Sequence, residues 1–93
     1  MKVYQSRSFA NTVKKLSEKE KTALDREVRK ILAEPALGTE KAGDLCGVLV
    51  HKFKLGGALH LLAYRLTGDD LELIMLGPHE NYYRDLKTYL KSR

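Results

Sequence analysis

The chain has no tryptophan, two prolines and a single cysteine in 93 residues. Cys46 alone cannot close an internal disulfide, and no cluster of cysteine and histidine surrounds it, so the pattern points to no zinc site or other metal site. No apolar run is long enough to span a bilayer, and none follows Met1 as a secretory signal would. A protein of the reducing cytoplasm, away from membranes, is therefore expected. Acidic residues are also missing from one region. Between Leu45 and Gly68 there is none, while Lys52, Lys54 and Arg65 all lie there. With a net charge of +5, such a zone attracts polyanions or an acidic protein partner. Solvated cations on an ordinary sheet surface are the plainer explanation. The hydrophobic content of 43% excludes wholesale disorder. Repeats, linkers and low-complexity segments are absent, so residues 1–93 read as one domain with a thin core.

Lys2 to Gln5 reads as a short β-type segment. Ser6 and Ser8 are candidate N-caps for a helix carrying Phe9, Val13 and Leu16 at helical spacing. Ser17-Glu18-Lys19-Glu20 fits a capping box, in which serine and glutamate satisfy each other's free backbone donors. The helix it opens places Leu24, Val28, Ile31 and Leu32 on one stripe, and Pro35 and Gly38 end it. The tight break at Leu16 and Ser17 predicts a helical hairpin. Gly38 to Gly47 reads as a loop. Three strands follow, Gly47 to Leu55, Leu59 to Thr67 and Leu71 to Leu76. Gly56-Gly57 and Gly68-Asp69 serve as the turns between them. Gly77-Pro78 stops the last strand, and helical spacing returns over Tyr82 to Leu90, with Tyr82, Leu86, Tyr89 and Leu90 on one face. The fold class is α+β: a small antiparallel sheet, an N-terminal helical hairpin on one face and a short C-terminal helix, in the order β-α-α-β-β-β-α.

Strand parity divides the residues between two faces. Phe53 and Leu55, with Leu49 and His51, belong towards the helices, as do Leu62, Tyr64 and Leu66. Lys52 and Lys54 then project from the opposite face together with Val50, Leu61, Ala63 and Arg65. That face is expected to be open, concave and basic.

His79-Glu80-Asn81-Tyr82-Tyr83 follows directly on a buried strand. A histidine at a strand end, with a tyrosine four residues on, has the marks of a proton-transfer site, because imidazole titrates near neutrality. Its plainer reading is a polar residue at the start of a helix, and Tyr83 could simply pack that helix. Titratable, cationic and aromatic groups on neighbouring elements are what RNA cleavage needs: a base for the 2′-hydroxyl, positive charge for the phosphorane and an acid for the leaving oxygen. That chemistry requires no metal and no cofactor. His51 and His60 read as structural or partner-facing. Arg84, Lys87, Lys91 and Arg93 make a basic C-terminal end that suits RNA phosphates or plain solvent.

Lys52-Phe53-Lys54-Leu55 before a hairpin, Leu62-Ala63-Tyr64, and Gly77-Pro78-His79 with a downstream aromatic together resemble the RelE/ParE toxin superfamily over nearly the whole chain. The resemblance implies a toxin of a type II toxin–antitoxin pair, held inactive by a cognate antitoxin. In the RelE-like branch it implies an endonuclease that cuts mRNA in the ribosome. The ParE-like branch implies a non-enzymatic inhibitor of DNA gyrase, and a catalytically inactive homologue is the other alternative. Carried over, His79 is the general acid or base, and Lys52 and Lys54 bind phosphate and stabilise the transition state. Tyr83 stacks on a base or orients the phosphate, and Arg65 supplies a phosphate contact from a displaced position, while Arg84 and Lys87 of the basic C-terminal end are the further candidate RNA contacts. One departure stands out. Many members carry an arginine just before the Leu-x-Tyr pattern, where this chain has Leu61.

Overall fold

The computed structural model describes residues 2–41 and 43–92. Arg93, part of the expected basic end, lies outside the described residues. Ser6 has extended backbone, and its hydroxyl accepts from the Phe9 N–H at 3.1 Å, which opens helix α1, Arg7–Lys14. The expected capping box is present. The Ser17 hydroxyl accepts from the Glu20 N–H at 3.1 Å, and the Glu20 carboxylate accepts from the Ser17 N–H at 2.9 Å. Hydrogen bonds from the Ser17 backbone and hydroxyl also hold the Glu20 carboxyl below its ordinary value. Helix α2 then runs Glu18–Ala33. Among the described residues, no helix is long and apolar enough to cross a membrane.

The strands are β1 (Val3–Gln5), β2 (Thr39–Glu40), β3 (Leu49–Leu55), β4 (Ala58–Thr67) and β5 (Asp70–Pro78), followed by helix α3 (Tyr82–Ser92). They form one sheet in the order β1-β5-β4-β3-β2. The β3–β4–β5 meander is antiparallel, as expected, while β1 adds to β5 in parallel. The stretch read as a plain loop contains β2, which pairs with β3. Gly56 and Gly57 sit at φ 62° and 85°. Both are left-handed, as a two-residue hairpin turn between twisted strands requires.

An irregularity in β5 decides which side chains meet. Ala63 pairs with Met75 but Tyr64 pairs with Leu73, leaving Ile74 as an extra residue. A bulge of this kind shifts parity by one. Leu71 and Leu73 before it, and Leu76 after it, therefore share the core facing α1 and α2, while Ile74 joins the opposite face. The Ser6 hydroxyl donates to the Ile74 carbonyl, so the cap of α1 also satisfies the bulge.

The first core gathers Phe9, Leu24, Ile31, Phe53, Leu55, Leu62 and Tyr64 with those leucines. Tyr64 is fully buried, and its hydroxyl donates to the Pro35 carbonyl at 2.7 Å and accepts from the Gly38 N–H at 2.8 Å. The end of α2 and the chain leading into β2 are thus pinned to the central strand. Removing the hydroxyl strands two backbone groups at once. Tyr64→Phe is expected to cost about 1–3 kcal/mol of stability. A lower urea midpoint at unchanged slope would record it, and an unchanged midpoint would contradict it. Leu66, expected in this core, is instead 38% exposed near the end of β4, beyond the helices' cover.

The other face is not the open surface expected. A second core fills it: Leu45, Val48, Val50, Leu61, Ala63 and Ile74 lie under Tyr82 and Leu86 of α3. The apolar stripe of α3 needs a partner, and the alternate residues of β3 and β4 supply one.

Candidate functional site

Helix α3 covers only part of its face. Lys52 and Lys54 lie beyond the cover and are exposed, on the same side of β3 as the buried Val50. Lys52 stands opposite Leu61, which stands opposite Gly77. Lys54 stands opposite Leu59, and His60 stands opposite Pro78. The pairing ends there, and His79 is the next residue after β5. His79 is exposed at the turn between β5 and α3, and its carbonyl accepts from the Tyr82 N–H at 3.3 Å. Asn81 follows at φ 60°, a left-handed conformation that asparagine tolerates better than most residues. The sharp reversal leaves His79 on the outside of the turn. Two exposed lysines and an exposed histidine therefore lie towards the same end of the meander. Such a cluster can hold a phosphodiester and exchange a proton with it.

The remaining candidates are placed differently. Tyr83 is half-buried against the second core. The Lys41 ammonium lies 5.0 Å from its ring centroid, and Tyr82 meets it edge-on at 5.7 Å. One face of the Tyr83 ring is thus already occupied by a cation. Arg65 is opposite Glu72, four residues along β4 from Leu61 and hence about 14 Å from the Lys52 row. The fold does not bring it to the two lysines. Arg84 and Lys87 are exposed on α3, with the Arg84 guanidinium 3.6 Å from the Asp85 carboxylate. Lys41 had no signal in the sequence, since only the fold back of its loop carries it to α3. Its N–H donates to the Val48 carbonyl at 2.9 Å, which fixes that position.

Tyr82 anchors α3. Its ring packs against Gly77, where an added Cβ would lie 3.4 Å away, and its hydroxyl donates to the Met75 carbonyl at 2.6 Å. Burial pushes its phenol well above the ordinary value. Tyr82 is thus structural, while His79 is exposed at this turn.

His51 faces the other way, towards α2. Its Nε2 donates to the Glu27 carboxylate at 2.8 Å, and the two side chains are 13% and 14% exposed. Lys30 binds the second Glu27 oxygen at 2.9 Å, and the imidazole stacks on Phe53 at 5.5 Å. The structural reading of His51 therefore fits. His60 is half-buried, with Nδ1 3.0 Å from the Ala58 carbonyl. Burial alone would raise the Glu27 carboxyl, but hydrogen bonds from His51 and Lys30 outweigh it and hold the group below its ordinary 4.5. A depressed acid contributes stability above its unfolded value and loses that contribution as pH falls through the folded one. Glu27→Gln is expected to lower stability at pH 7 by on the order of 1 kcal/mol, with the gap to wild type closing below about pH 4.5. Urea melts across that range would check it, and a constant gap would contradict it.

Among the described residues, no group of three or more histidine, cysteine, aspartate or glutamate side chains could hold a metal ion.

Residues 3–87 match a family described as the ParE-like toxin of type II bacterial toxin–antitoxin systems. No curated protein sequence matches the chain. Among solved structures, the chain is similar to the E. coli toxin RelE in the free state, studied as a mutant. The TM-score is 0.71 at 15% identity, covering 97% of this chain and 95% of that one. It is similar to a YoeB/ParE toxin from Agrobacterium tumefaciens, with TM-score 0.68 and 20% identity over 85% and 99% of the two chains. It is also similar to a chain of the intact E. coli RelBE toxin–antitoxin complex, with TM-score 0.67 and 17% identity over 85% and 96%. At such identities these likenesses establish the fold.

Proposed function

The chain belongs to the ParE-like toxins of type II bacterial toxin–antitoxin systems, and on that premise we propose that it acts as a ribosome-dependent mRNA endonuclease in the cytoplasm. The observation that carries the reading is the convergence of exposed Lys52, Lys54 and His79 at the end of the sheet that α3 leaves uncovered. The two ammonium groups hold the scissile phosphate and stabilise the charge that grows on it. The 2′-oxygen attacks phosphorus and the bond to the 5′-oxygen breaks. His79 takes the proton of the 2′-hydroxyl, and water returns one to the leaving oxygen, which leaves a 2′,3′-cyclic phosphate and a 5′-hydroxyl. A small basic face makes few contacts with a free strand, so the ribosome supplies the positioning. Arg84 and Lys87, exposed on α3, extend the positive surface towards ribosomal RNA.

The partner in this reading is a cognate antitoxin, as in the intact RelBE toxin–antitoxin complex whose fold the chain shares. An acidic segment laid over Lys52 and Lys54 would neutralise the site directly.

Leu61 favours a second reading. It is fully buried, at the position where many members of the superfamily carry an arginine. A chain lacking that cation, with Tyr83 engaged by Lys41, suits a non-enzymatic inhibitor of DNA gyrase. Induction in growing cells with pulse labels for protein and DNA separates the two. The endonuclease reading expects protein synthesis to stop first. DNA synthesis stopping first, with an SOS response, would favour the gyrase reading.

A further inference from the structure

Leu59 borders the candidate site and belongs to neither core. It sits on the central strand β4, on the same side as Leu61 and Ala63. Those two are fully buried under α3, whereas Leu59 is 42% exposed. Its neighbour across β3 is Lys54. The β4–β5 pairing ends at His60 and Pro78, and His79 is the residue that follows Pro78. Leu59 thus stands beside Lys54, on strands about 4.8 Å apart, at the end of the sheet where His79 leaves β5. A nucleotide with its phosphate at Lys54 and its ribose at His79 would lie across Leu59. An unstacked base offers an apolar face, and an exposed leucine can take it. Tyr83 is poorly placed to do so, since Lys41 covers one face of its ring and Tyr82 meets it edge-on.

We propose that Leu59 is the base-contacting platform of this site, recognising an unstacked nucleobase of single-stranded RNA. The inference rests on the endonuclease reading and assigns the contact that sets which nucleotide is held for cleavage.

The test compares wild type, Leu59→Ala and Leu59→Phe in a translation reaction, with mRNA ends mapped by primer extension. Leu59→Ala is expected to lower kcat/KM about tenfold and flatten the preference among cut sites, as loss of one base contact would. Leu59→Phe, which offers a larger apolar face, is expected to cut at least as well as wild type with an altered site preference. Both variants should keep the wild-type urea midpoint. Cleavage by Leu59→Ala within twofold of wild type, at the same sites, overturns the inference and leaves the endonuclease reading standing. No cleavage by wild type overturns that reading and this inference with it.

Discussion

Replacing Lys52 and Lys54 together by alanine is expected to lower mRNA cleavage by about a thousandfold or more, since removal of a single transition-state donor already costs about 10²–10³. Both side chains are exposed beyond the edge of α3 and belong to neither core. The loss should therefore come without loss of folding, and the urea midpoint should stay within the small range of surface substitutions. Single alanine variants should fall in between. Lys52→Arg with Lys54→Arg should retain part of the activity, because charge survives while reach and geometry change. Initial rates in a translation reaction, with circular dichroism as the folding control, would measure this. A double variant that still cuts at the wild-type rate would place the phosphate elsewhere.

Leu61→Arg is expected to fail as a repair of the missing family arginine. At 0% exposure Leu61 is enclosed by Val50, Ala63, Ile74 and the α3 residues Tyr82 and Leu86. An arginine there must either bury a charge or lift α3 off the sheet. Burial of an unpaired charge costs several kcal/mol, and displacement of α3 gives up the second core. The loss of stability should exceed about 3 kcal/mol, a large share of what a domain of this size possesses. Chemical denaturation would show it directly. A stable, more active Leu61→Arg protein would mean that this position opens readily to the site, contrary to the packing under α3.

Much of this arrangement is legible in the sequence where local chemistry is strong. The Ser17–Glu20 capping box, the Gly56-Gly57 turn and the two helices follow from caps, glycine and helical spacing. Tyr64 follows from parity, as do the outward lysines of β3. The rest depends on distant parts of the chain. β1 is legible as a short strand, but its parallel pairing with β5, 68 positions away, is not. The bulge at Ile74 reverses parity inside an unbroken apolar run, where period gives no warning. The cover of α3 could have been inferred. A helix with Tyr82 and Leu86 on one side needs an apolar partner, and Val50, Leu61 and Ala63 offered one on the face read as open. At the site, register places Lys52 opposite Leu61 and Lys54 opposite Leu59, and the hairpin turns allow that to be counted. The capture of Tyr83 by Lys41 has no such signal, because it depends on the path of the loop after β2.

The proposed function requires Lys52, Lys54 and His79 to form one RNA-cleaving site. It is tested most directly by adding purified protein to a defined translation reaction and mapping mRNA 5′ ends by primer extension, with wild type beside His79→Ala. The account predicts discrete cuts that require ribosomes, a 5′-hydroxyl on the downstream fragment, and a fall of about 10²–10⁴ in rate for His79→Ala at unchanged fold. Intact mRNA with the wild-type protein, or cuts that persist at full rate without the His79 imidazole, would contradict it.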